Sequence, residues 1–193
     1  QGLHDKNPEP VFQFIETKIA PLSTEGLLIY LRYLGTDVEQ FKQRFDRFKV
    51  VKGESIPSGR RGFLFNDKFY EDQIKHKVAR DLDKINTEVT ENGKKISEDP
   101  LLKSLAEQGS KQQRRITYQL EPGERAGLEA DLRTLLKEQD PKLSLEDLVT
   151  RFLTVDDSNI RERHAFFYAK IAPKVDLYQV KVGDVMTIRA FTR

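Results

Sequence analysis

Val50-Val51-Lys52-Gly53-Glu54-Ser55-Ile56-Pro57-Ser58-Gly59-Arg60-Arg61-Gly62-Phe63-Leu64-Phe65 sets two apolar arms on either side of a loop that holds three glycines and a proline. Glycine and proline are the poorest helix formers, so the loop is not helix, and the arms read as short strands. Working outward, the chain before this stretch is a lead-in. The chain after it reads as a helix and a long excursion that returns to the same sheet.

On the N-terminal side, residues 1–7 are polar. Val11, Phe14, Ile15 and Ile19 then fall on one face of a short helix closed by Pro21. Gly26-Leu27-Leu28-Ile29-Tyr30-Leu31-Arg32-Tyr33-Leu34 is short, almost wholly apolar and rich in β-formers, which predicts a buried central strand. Asp37, followed by Gln40, predicts a helix cap. Val38, Phe41, Phe45 and Phe48 supply the apolar face of that helix.

On the C-terminal side, Asn66 or Asp67 caps a second helix. Tyr70, Ile74, Val78, Leu82 and Ile85 lie on one stripe of it, and it is expected to pack on the sheet. Composition shifts near residue 86. Asn92-Gly93 reads as a turn, and Asp99-Pro100 opens a helix that Gly109 stops. Arg115-Ile116-Thr117-Tyr118-Gln119-Leu120 alternates and predicts a half-exposed strand, and Pro122-Gly123 predicts a turn. A leucine-rich helix then runs to Asp140-Pro141, Ser144 with Asp147 forms a capping box, and a last helix covers about 158–170. Gly183-Asp184 makes a tight turn into a final strand from Val185. The stop at Arg193 directly after that strand predicts a boundary cut from a longer chain.

The expected fold is therefore α+β. Residues 1–85 and 175–193 form a small mixed β-sheet core with packed helices, and residues 86–174 form a mainly helical inserted subdomain.

Composition narrows the function. In 193 residues, 33 Lys and Arg nearly cancel 31 Asp and Glu, which leaves a net charge of only +2 and argues against a nucleic-acid partner. Mean hydropathy of −0.62 and 33% charged residues describe a soluble surface, and no apolar run approaches the ~20 residues of a membrane span. No N-terminal stretch reads as a signal peptide. The chain as given reads as soluble, which includes a soluble piece of a membrane protein. Cysteine is absent, which excludes disulfides, thiolate metal sites and cysteine nucleophiles.

Candidate chemistry is sparse. Asp72 and His76 stand at metal-compatible spacing without a second ligand pair, so an exposed helix face accounts for them better and no metal is expected. The glycines at 53, 59 and 62 match no phosphate-binding pattern, and no serine has a nucleophile setting. Arg60-Arg61 and Arg114-Arg115 are isolated basic pairs that suit solvated turns or an acidic partner. Asp156-Asp157 before Ser158 suits a helix start. The reading is of a non-catalytic chain without a cofactor.

The order of an apolar strand, Gly35-Thr36-Asp37-Val38-Glu39, Val51-Lys52-Gly53-Glu54, Gly59-x-x-Gly62-Phe63-Leu64, a helix and Val182-Gly183-Asp184-Val185-Met186-Thr187-Ile188 resembles a known arrangement. It is similar to the extracytoplasmic (periplasmic) domain of ABC transporter permeases of the macrolide-exporter, lipoprotein-release and FtsX type, a MacB-like core. The likeness covers about half the chain, residues 20–85 and 178–193 by our boundaries. The long helical block departs from the common pattern, in which the helix and the Gly-Asp turn lie close together.

The resemblance implies a non-catalytic domain outside a bacterial inner membrane, in a parent permease that is dimeric and pairs with a cytoplasmic ATPase subunit. Such a domain transmits conformational change to a periplasmic protein or lipophilic substrate. The inserted helices then carry partner choice, with Arg114, Arg115, Phe166 and Tyr168 as candidate contacts. Two other classes compete: a cytoplasmic helical adaptor or scaffold, and an enzyme built on the loop around Gly53–Gly62.

Overall fold

The computed structural model describes residues 34–186. These fall into two compact units, one of residues 34–75 with 178–186 and one of residues 76–177.

The smaller unit begins with helix α1 (Val38–Arg44), where the Asp37 carboxylate accepts from the Glu39 and Gln40 amides, both at 3.0 Å. The loop of the opening stretch follows. Its Ser58 hydroxyl donates to Asp37 at 2.6 Å. Helix α2 (Asp67–Phe69), capped by Asn66, runs into a wide π turn, Tyr70–Ile74. The returning chain meets that turn. Lys75 and Tyr178 form an antiparallel bridge, the Gln179 amide donates to the Ile74 carbonyl at 3.1 Å, and the Tyr70 hydroxyl donates to the Val180 carbonyl at 2.6 Å. The Tyr70 and Tyr178 rings stack at 4.7 Å.

The larger unit is helical. It contains α3 (Lys77–Thr90), α4 (Pro100–Gly109), α5 (Gln113–Thr117), α6 (Pro122–Leu136), α7 (Leu145–Leu153) and α8 (Ile160–Phe166), the last running into a π turn, Phe167–Ile171. The starts of α4 and α7 are fixed by side-chain caps. Asp99 accepts from the Leu101 and Leu102 amides and Pro100 occupies the first turn, where its missing N–H goes unused. Ser144 and Asp147 close a reciprocal capping box on α7. Helix α6 stops at Lys137, which takes a left-handed conformation with φ 53°.

Helix α7 organises the core. Leu145, Leu148, Val149, Phe152 and Leu153 are buried within its nine residues, and it packs on α5 and α6. Helix α3 adds Val78, Ala79, Leu82 and Ile85 and packs on α4 and α8. One continuous apolar cluster joins Val78 to Ile171.

The expected mixed sheet is corrected. Among the described residues there is no sheet, and ladder pairing is limited to the Lys75–Tyr178 bridge. The arms of the opening stretch are irregular, with Val51 67% and Phe63 36% exposed. Without a neighbouring strand among the described residues, the second arm packs by aromatic contact instead: Phe63 lies 5.9 Å from Phe65, and Phe65 lies 6.0 Å from Phe69. The expected strand at 115–120 is the end of α5 and a turn. Ile116 and Leu120, both fully buried, stand four apart, which is a helical spacing as much as an alternating one. Pro122-Gly123 opens α6 rather than forming a turn. Gly183-Asp184 does turn, with the Asp184 amide donating to Lys181 at 3.1 Å, but no strand follows as far as Met186. The helix expected near 11–19, nearly all of the strand expected at 26–34 and the end of the last strand lie outside the described residues.

The single helix expected over 67–85 is broken at Lys75 and His76, whose backbones are extended at ψ 145° and 131°. Tyr70 and Ile74 belong to the smaller unit, while Val78, Leu82 and Ile85 enter the core of the helical one.

Candidate functional site

His76 opens the helical unit and Leu177 closes it. The His76 amide donates to the Leu177 carbonyl at 2.7 Å. The side chain turns inward and is only 5% exposed. Its Nε2 lies 3.2 Å from the Arg115 carbonyl on α5, which fixes Nε2 as the protonated nitrogen because a carbonyl can only accept. Nδ1 is buried without a hydrogen-bond partner, as is the hydroxyl of fully buried Thr117. Burial pulls the His76 pKa down to about 4. The Arg115 and Arg80 charges push the same way, while the Arg115 carbonyl and Asp176 oppose them.

A second cluster joins α3 to the C-terminal helix. The Asp83 carboxylate accepts the Tyr168 hydroxyl at 2.8 and 2.9 Å and lies 2.8 Å from His164 Nε2. The His164 and Tyr168 rings are 5.0 Å apart. Nearby, Phe166 packs on Phe152 at 5.4 Å, and the Arg163 guanidinium lies 5.7 Å from the Phe152 ring centre. Burial lowers the Arg163 pKa from its usual value.

The four candidate contacts thus have different surroundings. Arg114 is exposed on α5. Arg115 is half-buried, and its carbonyl serves His76. Phe166 and Tyr168 are half-buried and pack against the core, the first on Phe152 and the second on Asp83. Asp72 and His76 do not share a helix: the break at Lys75 leaves Asp72 exposed in one unit and His76 buried in the other. Among the described residues no group of three or more His, Cys, Asp or Glu is placed to hold a metal.

Asp156 and Asp157 differ in role. Asp156 accepts from the Ser158 hydroxyl and from the Ser158 and Asn159 amides at the start of the last helix. Asp157 reaches back to the Ser97 hydroxyl and the Ile96 and Ser97 amides, and the Ser97 hydroxyl is the main reason its carboxyl sits below the usual range. In the smaller unit, Arg60 and Arg61 border an open groove with Thr36, Asp37, Val38 and Ile56. Burial and the hydrogen bond to Glu71 raise the Tyr178 pKa to about 12.

Sequence reasoning missed His76 as a buried group and Asp83 as a hub. Asp83 stands 81 residues from His164, so no local spacing signals the pairing.

No helix among the described residues is long and apolar enough to cross a membrane. No protein-family model, curated protein or solved structure matches the chain.

Proposed function

We propose that residues 76–177 are a non-catalytic protein-binding module inserted in a host domain, and that the host is the extracytoplasmic part of an ABC transporter permease. The module would take a periplasmic partner, while the parent couples ATP hydrolysis in the cytoplasm to the handling of that partner or its cargo. One observation supports this reading above the others. The chain leaves the smaller unit at Lys75 and re-enters it at Tyr178, and these two residues pair directly. Among the described residues, a helical block that departs and returns at one point has the topology of an insertion. Its helices share one continuous apolar core among the described residues, and the outer surface suits recognition. Arg114, exposed and free of any ion pair with a described residue, is the contact we favour within the candidate set.

This reading draws on the order of motifs in the smaller unit and not on the mixed sheet, which is corrected above. The wholly helical make-up of the larger unit favours a second reading, a cytoplasmic adaptor that binds a protein partner.

One experiment separates them. An epitope is placed in the exposed Glu91–Gly93 turn of the natural full-length protein, and spheroplasts are treated with protease. Membrane-retained protein whose epitope is cleaved from outside supports the permease. A protected epitope in the soluble fraction supports the adaptor and removes the permease reading.

A further inference from the structure

We propose that His76 is a proton-operated latch: it holds the first and last residues of the helical unit together while its ring is neutral and releases them when the ring takes a proton. The latch stands whichever partner the unit binds.

Position comes first. The His76 amide donates to Leu177 at 2.7 Å, so this residue ties the start of the unit to its end. One residue before Leu177, the Asp176 amide donates to the Gln119 side chain at 2.7 Å. The His76 ring lies at this closure, 5% exposed.

Hydrogen-bond chemistry comes next. In the neutral ring Nε2–H donates to the Arg115 carbonyl, and Nδ1 is a bare lone pair. A bare ring nitrogen in the interior is tolerable. Protonation turns it into a cationic N–H with no acceptor in place, since Nδ1 has no hydrogen-bond partner among the described residues. The charges that face the ring add to the penalty. Arg80 approaches from α3 and Arg115 from α5, and only Asp176, on the returning segment, is of opposite sign. A new cation beside two arginines and one carboxylate is relieved by moving the ring into water. That movement breaks the pairing with Leu177.

The consequence is local opening driven by acid. If the ring titrates near its ordinary 6.5 when open and at about 4 when closed, the opening constant at pH 5 is about 30-fold above that at pH 8. Hydrogen exchange on the whole chain reads this directly, with rates corrected for the intrinsic pH dependence of exchange. The His76 and Asp176 amides should lose protection by about that factor, and at every pH they should exchange faster than the amide of Phe152 in α7, which opens only with the whole unit. The variant His76→Gln retains a donor for Arg115 but does not titrate, so its protection should stay level from pH 8 to 5.

Three results overturn the latch: a change of less than threefold at His76 and Asp176, an equal rise in H76Q, or protection at His76 and Asp176 equal to that of Phe152 at every pH, which would mean that they open only with the whole unit. Should H76Q fail to fold, the ring itself is titrated by NMR in the natural chain. A midpoint below 5 supports the latch, and one near 6.5 ends it.

Discussion

Tyr168 and Asp83 show how a side chain that looks available for recognition can be committed to the fold. The Tyr168 hydroxyl is bound by both Asp83 oxygens, and its ring packs against His164 and Phe167. Tyr168→Phe should lower stability by about 1 kcal/mol, the usual net worth of one such bond, in urea melts of the chain. It should leave the binding of any partner that reads Arg114 unchanged. A loss of binding without a loss of stability would return Tyr168 to the recognition surface. His76 governs acid sensitivity at the same scale. Its native pKa is depressed, so its share of stability is complete above about pH 6.5. That share drains away as pH falls towards 4, where the unfolded chain holds a proton that the native chain refuses. The total is about 3 kcal/mol. The carboxylates held low by their hydrogen bonds, such as Asp99 and Asp147, lose their contribution only around and below 3.8, so the windows separate in urea melts at pH 7.5 and 4.5. An equal midpoint at those two pH values would show that His76 is not buried as a neutral ring.

At the level of elements, helix starts carry measurable weight. The α7 box pairs Ser144 with Asp147, and α7 supplies five buried residues to the core. Ser144→Ala should therefore cost about 1 kcal/mol, read as a fall in Tm with no change in the circular dichroism of the native state. Such starts were legible beforehand. Asp37, Asn66, Asp99 and Ser144 all cap where their sequence chemistry places them, because a cap is decided within four residues. The sheet was misread because apolar runs report burial or contact without reporting a partner. Val50-Val51 and Phe63-Leu64-Phe65 are β-rich, yet a strand needs a neighbour and the described residues offer none. The break at Lys75 was invisible for a related reason. Tyr70, Ile74 and Val78 keep a spacing of four straight across it, so a helical wheel continues where the backbone does not. Of the candidate site, Arg114 and Arg115 were singled out, but for a turn and the start of a strand where the structure has a helix. The burial of His76 was not readable, since its neighbours arrive from residues 80, 115 and 176.

For the molecule as a whole, residues 76–177 share one continuous apolar core, and residues 76 and 177 are hydrogen-bonded to each other. A fragment of residues 76–177 should then fold alone, with a helical spectrum and a single cooperative melt. A molten or non-cooperative fragment would show that the core depends on the rest of the chain. The chain that leaves and rejoins the smaller unit has a corollary for how such a protein can be cut and recombined. Lys75 and Tyr178 already sit opposite each other as an antiparallel pair. An Asn-Gly dipeptide in place of the 102 residues from His76 to Leu177 would span that gap as an ordinary two-residue hairpin. The shortened host should express and keep the Tyr70–Tyr178 stack. The same seam would accept an unrelated domain whose ends lie equally close, so one helical block could be exchanged for another without rebuilding the unit that carries it.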